Sequence, residues 1–285
     1  MDDASLDRLC VLANLPRLEG ITLLPEYWSV AKASRIGGLR HVELYGSPGT
    51  PEGRSRGGQN AQKRFRANPE YFRSLGIALR KPVARPSPSA NFAEFIGIML
   101  GDGGMTNCQA TITFNSLDTD YADYVSRLGQ RLFRISSSQR PKRNNNAFYV
   151  RFSGVELIEA LEAAGLKRGN KVRHQVDVPG WIWQQRAYRI ACLRGLMDTD
   201  GCVFRHKYRV NGKVYAYTKL AFTNYSRPLL LSAKKLFEDA GLFPTLHRDG
   251  HRLYLHDTRQ VKRYFEVIGT RNPRYQARYD VSYLK

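Results

Sequence analysis

Two segments lying 98 positions apart repeat one unusual pattern, and that repeat restricts the possible folds more than any other feature of the chain. They read Ile96-Gly97-Ile98-Met99-Leu100-Gly101-Asp102-Gly103 and Arg194-Gly195-Leu196-Met197-Asp198-Thr199-Asp200-Gly201. Each has a glycine and, four places on, a small residue (Gly101, Thr199), so both fall on one helix face. Small residues at that spacing let two helices approach backbone to backbone. The aspartate then sits at the carboxyl end, with a glycine behind it that predicts a left-handed stop.

The flanking residues repeat as well. In the first copy Asn91, with Glu94 three places on, predicts a capped helix over Phe92–Leu100. A strand at Gln109–Asn115, a helix from Asp118 to Phe133, a strand near Ala147–Phe152 and a helix near Val155–Ala164 follow. The second copy predicts a helix from Trp183 to Met197 and strands at Val203–Val210 and Val214–Thr223, with Asn211-Gly212 as a two-residue hairpin turn. A helix from Arg227 to Ala240, a hairpin turning at Asp249-Gly250 and a helix near Thr258–Ile268 complete it. Each copy reads helix, two strands, helix, two strands, helix. Asn115 and Asn224 end matching strands 109 positions apart, and the excess over 98 falls in a first hairpin long in copy two and nearly absent in copy one.

If the two glycine-bearing helices pack about a pseudo-two-fold axis, Asp102 and Asp200 meet where both helices end in free carbonyls, at Gly101 and Thr199. Two carboxylates and two negative dipole ends cannot share that place without cations. Mg²⁺, which takes oxygen ligands and keeps several waters, suits it. Such a site can activate water and stabilise the charge on a phosphodiester.

Leu193–Gly201 closely matches, and Phe95–Gly103 resembles, the signature of the LAGLIDADG homing endonucleases; Phe95 stands first in its motif, and Leu100 replaces the usual acid. The resemblance runs from about residue 89 to the end. It implies an α+β fold of two pseudo-symmetric αββαββα repeats forming a DNA-binding saddle, with the motif helices at their interface. It also implies a double-strand DNA endonuclease leaving short 3′ overhangs. By position, Asp102 and Asp200 become the metal-binding acids, and Asn115 and Asn224 the polar side chains near metal-bound water. Lys171 and Arg274 become the basic residues near the scissile phosphates. Expected segments are a basic extension at 1–88, repeat one at 89–180 and repeat two at 181–285.

Charge points the same way. Lys and Arg outnumber Asp and Glu by 45 to 25, a net charge of +20, which attracts polyanions. Along copy two, Arg205, Lys207 and Arg209 alternate with apolar residues, and so do Lys213, Tyr215, Tyr217 and Lys219; a ribbon carrying them fits a major groove. Copy one offers Gln109, Thr111, Thr113, Tyr149 and Arg151, with Arg140, Lys142 and Arg143 near a turn. Residues 32–66, rich in Gly, Arg and Ser and including Arg35, Arg54 and Arg56, lack a long amphipathic period and are expected to be a basic arm reaching DNA on the copy-one side.

Other classes fit less well. No apolar run reaches membrane-spanning length and the start lacks a secretory pattern, so an intracellular protein, cytoplasmic or nucleoid-associated, acting as a monomer is expected. The four cysteines form no CxxC pair. The ending Ser282-Tyr283-Leu284-Lys285 lacks the His-Asn of an intein. An RNA maturase on the same scaffold, engaging host intron RNA, is the first alternative to a nuclease. A non-cleaving DNA-binding regulator is the second, disfavoured by both intact aspartates.

Overall fold

The computed structural model describes residues 3–16, 28–77, 79–142 and 146–283. The chain divides into two compact units, Met1–Leu79 and Arg80–Lys285, each described by itself. Among the described residues no helix is long and apolar enough to cross a membrane.

The first unit is helical: α1 (Asp3–Leu12), α2 (Trp28–Tyr45), α3 (Pro51–Ala67) and α4 (Pro69–Ser74). This corrects the expectation of an aperiodic arm. The start of α3 was written in the sequence as Thr50-Pro51-Glu52. The Thr50 side chain accepts from Gly53 N at 3.0 Å, proline takes the first turn and an acid complements the dipole. These signals outweigh Gly57 and Gly58, which sit mid-helix with open space where a side chain would be. No described residue of α2, α3 or α4 is buried.

The second unit holds the core. Its elements run α5 (Ala90–Leu100), β1 (Gly103–Met105), β2 (Gln109–Asn115), α6 (Thr119–Phe133), β3 (Ser137–Pro141), β4 (Ala147–Ser153) and α7 (Val155–Ala163). A 3₁₀ turn at Gly180–Gln184 leads to α8 (Arg186–Asp200), β5 (Gly201–Val210), β6 (Lys213–Thr223), α9 (Arg227–Asp239), β7 (Thr245–Leu246), β8 (Arg252–Leu255) and α10 (Thr258–Val267). A further helix, α11 (Pro273–Tyr283), had no counterpart in the sequence reading. Both sheets are four-stranded and antiparallel, ordered β1-β2-β4-β3 and β5-β6-β8-β7, so the αββαββα repeat is an observed duplication.

The inward face of each sheet is apolar at every second residue, as a half-buried strand requires. Ala110, Ile112 and Phe114 face the core in copy one, Val203, Leu220 and Phe222 in copy two. Gly103 pairs with Ile112 and Gly201 with Phe222, so the matching strand residues stand 110 apart, one more than the two asparagines suggested. The offset of 109 survives only in the following turn, where Asn115 Oδ1 accepts from Leu117 N and Asn224 Oδ1 from Ser226 N.

Two local expectations are corrected, and the unequal first hairpins are as expected. Ser89, not Asn91, caps α5, accepting from Phe92 N at 3.2 Å. Neither Gly103 nor Gly201 is left-handed; a side chain on either would overlap the backbone of Met99 or Met197 in the last helical turn, so glycine lets the strand leave close under its helix. Copy one does have a first hairpin, but with three residue pairs against ten in copy two. The second hairpin reverses the inequality: β3–β4 has five pairs and β7–β8 two.

Candidate metal and nucleic-acid site

Helices α5 and α8 lie side by side through the middle of the second unit. A side chain at Gly97 would overlap the Cys192 carbonyl, and one at Gly195 the Glu94 carbonyl. The second contact is the first shifted by 98 positions, as a two-fold axis requires. At the lower end, a methyl on Gly101 would collide with the Thr199 hydroxyl and stand 3.6 Å from the Asp200 carboxyl carbon. The two helix ends therefore converge, with Asp102 at the surface and Asp200 half-buried.

One buried ion pair crosses this interface. Arg194 donates to Glu94 Oε2, through Nε at 3.1 Å and through Nη2, and Tyr124 Oη donates to Glu94 Oε1 at 2.7 Å. Glu94 is 1% exposed, so the carboxylate expected in a capping box is a core group whose charge is balanced by the other repeat.

Lys171 joins Asp102 and Asp200 at the helix ends. Its Nζ donates to Leu100 O at 2.9 Å, Met99 O at 3.3 Å and Gly101 O, capping carbonyls that α5 leaves unpaired. Burial and, next, the neighbouring Asp102 push the Asp200 carboxyl up to about 6, against the opposing pull of Lys171 and a hydrogen bond from Asn224. Asp102 keeps a solvent-exposed edge, yet the protein packed around its carboxyl, and then Asp118, raise it too, against Lys171. Burial also lowers Lys171, against the two carboxylates.

The asparagines are not equivalent. Asn224 Nδ2 donates to Asp200 Oδ2 at 2.7 Å, whereas among the described residues no side-chain hydrogen bond reaches Asp102, and Asn115 serves only its own turn. Arg274 is engaged with a third acid. Its Nη2 lies 2.9 Å from Asp118 Oδ2, which ties copy two to the N-cap of α6, and Asp118 in turn is near enough to Asp102 to help raise it. A matching tie runs the other way, with Ser226, the N-cap of α9, donating to Val176 O at 2.6 Å. These cross-repeat ties hold the loops that follow α7 and α10.

Two further residues were not singled out from the sequence. Asp198, 3% exposed, accepts from Thr270 Oγ1 and, at 2.7 Å, from Arg271 N; burial pushes its carboxyl to about 7. It anchors the loop that follows α10. Tyr275 Oη donates to Gly201 O at 2.5 Å, covering the base of α8 where Lys171 covers α5. Neither residue carries a local sequence signal, because its role depends on a partner about 70 positions away.

The pair suits a hard divalent cation. Its donors are two carboxylates and the helix-end carbonyls, all oxygen, and a cation would offset the burial that raises both acids. Among the described residues no three His, Cys, Asp or Glu side chains cluster as a separate metal site. Lys171 shares Gly101 O, and the Thr199 hydroxyl turns back to Gly195 O at 2.9 Å, so at Thr199 the carbonyl rather than the hydroxyl is the candidate donor.

Strand register sorts the surface residues. In sheet one Gln109, Thr111 and Thr113 share the outward face with Tyr149, Arg151 and Arg140. Lys142 Nζ lies 5.7 Å from the Tyr149 ring centroid; Arg143 lies outside the described residues. In sheet two, Phe204 pairs with Lys219, His206 with Tyr217, Tyr208 with Tyr215 and Val210 with Lys213. Arg205, Lys207 and Arg209 pair with Thr218, Ala216 and Val214 on the opposite face. The single cationic face expected of this ribbon is thus two faces, since directly paired residues point the same way. Arg205 lines a groove of about 570 Å³ with Arg274 and Arg278 of α11. In the first unit Arg35 and Arg56 are exposed, and Arg54 Nη1 donates to Gly49 O at 2.6 Å, bracing the turn before its own helix.

Residues 187–269 match the family described as the LAGLIDADG-like domain. A stretch of 114 residues, 40% of this chain, is 28% identical to the replication factor C small subunit of Methanocaldococcus jannaschii and spans 6% of that protein. Solved structures with a similar outline include mesophilic variants of the homing endonuclease I-DmoI, at 16% identity over 64% of this chain and 96% of that one, with a TM-score of 0.43. Another is I-DmoI in complex with DNA and Mn, at 18% identity over 63% and 96%, with a TM-score of 0.42. The I-LtrWI LAGLIDADG homing endonuclease bound to target DNA has 11% identity over 69% and 90%, with a TM-score of 0.49.

Proposed function

We propose, from the premise that residues 187–269 are a LAGLIDADG-like domain and that residues 90–163 repeat its element order, that this chain is a site-specific double-strand DNA endonuclease. The observation that carries the proposal is the convergence of Asp102 and Asp200 at the ends of two helices in contact, with Lys171 between them. A structural turn has no need to bury two acids where both become harder to ionise.

Asp102 and Asp200 would hold Mg²⁺, which when bound supplies a polarised water and neutralises charge on the scissile phosphate. Asn224 keeps the Asp200 carboxylate aimed through its 2.7 Å hydrogen bond. Lys171 stabilises negative charge beside both acids, whereas Arg274 is committed to Asp118. The outward sheet faces carry the DNA contacts. Two unequal halves in one chain make the enzyme a monomer on a long asymmetric target, roughly 20 bp from two half-sites of one turn each. Cutting across the helix interface leaves short 3′ overhangs. The net charge of +20 draws the protein to nucleic acid inside the cell.

Cleavage of a large randomised duplex library with Mg²⁺, beside Asp102→Asn and Asp200→Asn controls, tests the proposal. One long site cut with 3′ overhangs, and cut by neither variant, is the expected outcome. Binding without cutting would make the chain a regulator, and selective retention of structured RNA a maturase.

A further inference from the structure

The outward faces of the two sheets differ in chemistry. Sheet one presents Gln109, Thr111, Thr113, Arg140 and Arg151, side chains that hydrogen-bond base edges and fork onto guanine, with one ring, Tyr149, among them. Sheet two presents rings. Tyr208 lies between Tyr215 and Tyr217, at centroid distances of 5.5 and 5.8 Å and interplanar angles of 18° and 17°. The three remain 42%, 39% and 39% exposed. The neighbouring Tyr217 hydroxyl raises the Tyr208 pKa. Lys213 and Lys219 stand at the two ends of the patch on the same face.

A packed row of rings costs little to order on binding, because each side chain has few rotors and neighbours that already hold it. It needs an apolar partner, and the major groove offers one, the 5-methyl group of thymine. The flanking lysines and the chain's net charge suit the phosphates on either side. Resting on the endonuclease reading above, we propose that the tyrosine patch of the β5–β6 ribbon reads thymine methyl groups, so that the half-site under repeat two is thymine-rich while the half-site under repeat one is read by hydrogen bonds.

The test begins by selecting duplexes from a randomised library with the non-cutting variant Asp200→Asn, then rebuilding the recovered site with deoxyuridine in place of thymine in one half at a time. Each methyl removed from the patch is expected to weaken binding about fourfold, so three should cost more than tenfold, in one half only. The Tyr208→Ser/Tyr215→Ser/Tyr217→Ser variant should bind uracil and thymine forms equally, and Tyr208→Phe/Tyr217→Phe, which keeps the rings, should retain the discrimination. A site without a thymine-rich half, a penalty equal in both halves, or a penalty that persists in the triple variant overturns the proposal. So does single-stranded DNA of any sequence competing as well as duplex, which would make the patch a stacking platform. Failure to retain any duplex would instead sink the endonuclease reading, and this inference with it.

Discussion

Asp200 carries the residue-scale predictions because its environment disfavours the charge its chemistry needs. Its carboxyl is raised from 3.8 to about 6, so between those values the folded chain holds a proton more tightly than the unfolded chain. The resulting cost to stability is fully present above about pH 6 and gone below 3.8. In chelator, Asp200→Asn is therefore expected to raise Tm by a few degrees at about pH 7.5. Below about pH 4 the gain should vanish, which thermal unfolding across that range checks. The same variant should lose cleavage. Lys171→Met, which keeps the stem and removes the charge, should lower the single-turnover cleavage rate roughly 10²–10³-fold with DNA binding retained; a loss of binding alone would reassign Lys171 to phosphate anchoring. Both acids were legible in the sequence because the motif repeats around them. Asn224 and Lys171 were reached through the family resemblance. Arg274 was placed in the same way and is in fact tied to Asp118, since a position in a loop does not say which way a long side chain turns.

At the scale of elements, the contact of α5 with α8 is where substitutions should hurt most. Gly97→Ala or Gly195→Ala forces a methyl onto a carbonyl of the facing helix and should cost about 1–3 kcal/mol or more. Gly57→Ala in α3, where nothing lies within 4 Å, should instead add helix, worth up to about 1 kcal/mol. Urea unfolding reads the first and far-UV circular dichroism the second. Arg194→Met strands the Glu94 carboxylate in the core, at about 3–5 kcal/mol, and adding Glu94→Gln should recover part of that loss. The strands with strict alternation, β2 and β6, could be read from sequence, as could the Asn211-Gly212 turn, whose residues have φ of 47° and 79°. The short strands β1 and β3 could not, because Gly103-Gly104-Met105 and Ser137–Pro141 carry little apolar alternation and are held by their neighbours' pairing. Helix α3 was missed because composition was weighed above its Thr50-Pro51 start.

The whole molecule is a duplication whose copies have diverged in complementary ways. Repeat two extends its first hairpin and repeat one its second, so each retains one long ribbon. The expected single-sided reach of copy two is therefore offset within the second unit, and the idea that the N-terminal helices serve one half-site becomes a sharper test. A chain lacking residues 1–79 should lose footprint at one end of its target, and equal shortening at both ends would reject that role. The duplication itself was legible from the spacing of 98. The inequality at the centre was not, because it arises from contacts across the two repeats. There Asp200 is steadied by Asn224, Asp102 has no such donor among the described residues, and a lysine caps the end of α5 where a tyrosine covers the end of α8. An enzyme with such a centre does not treat the two strands of a duplex alike. One strand should break well before the other, and a supercoiled plasmid carrying the target should pass through a nicked circle that accumulates before any linear product forms.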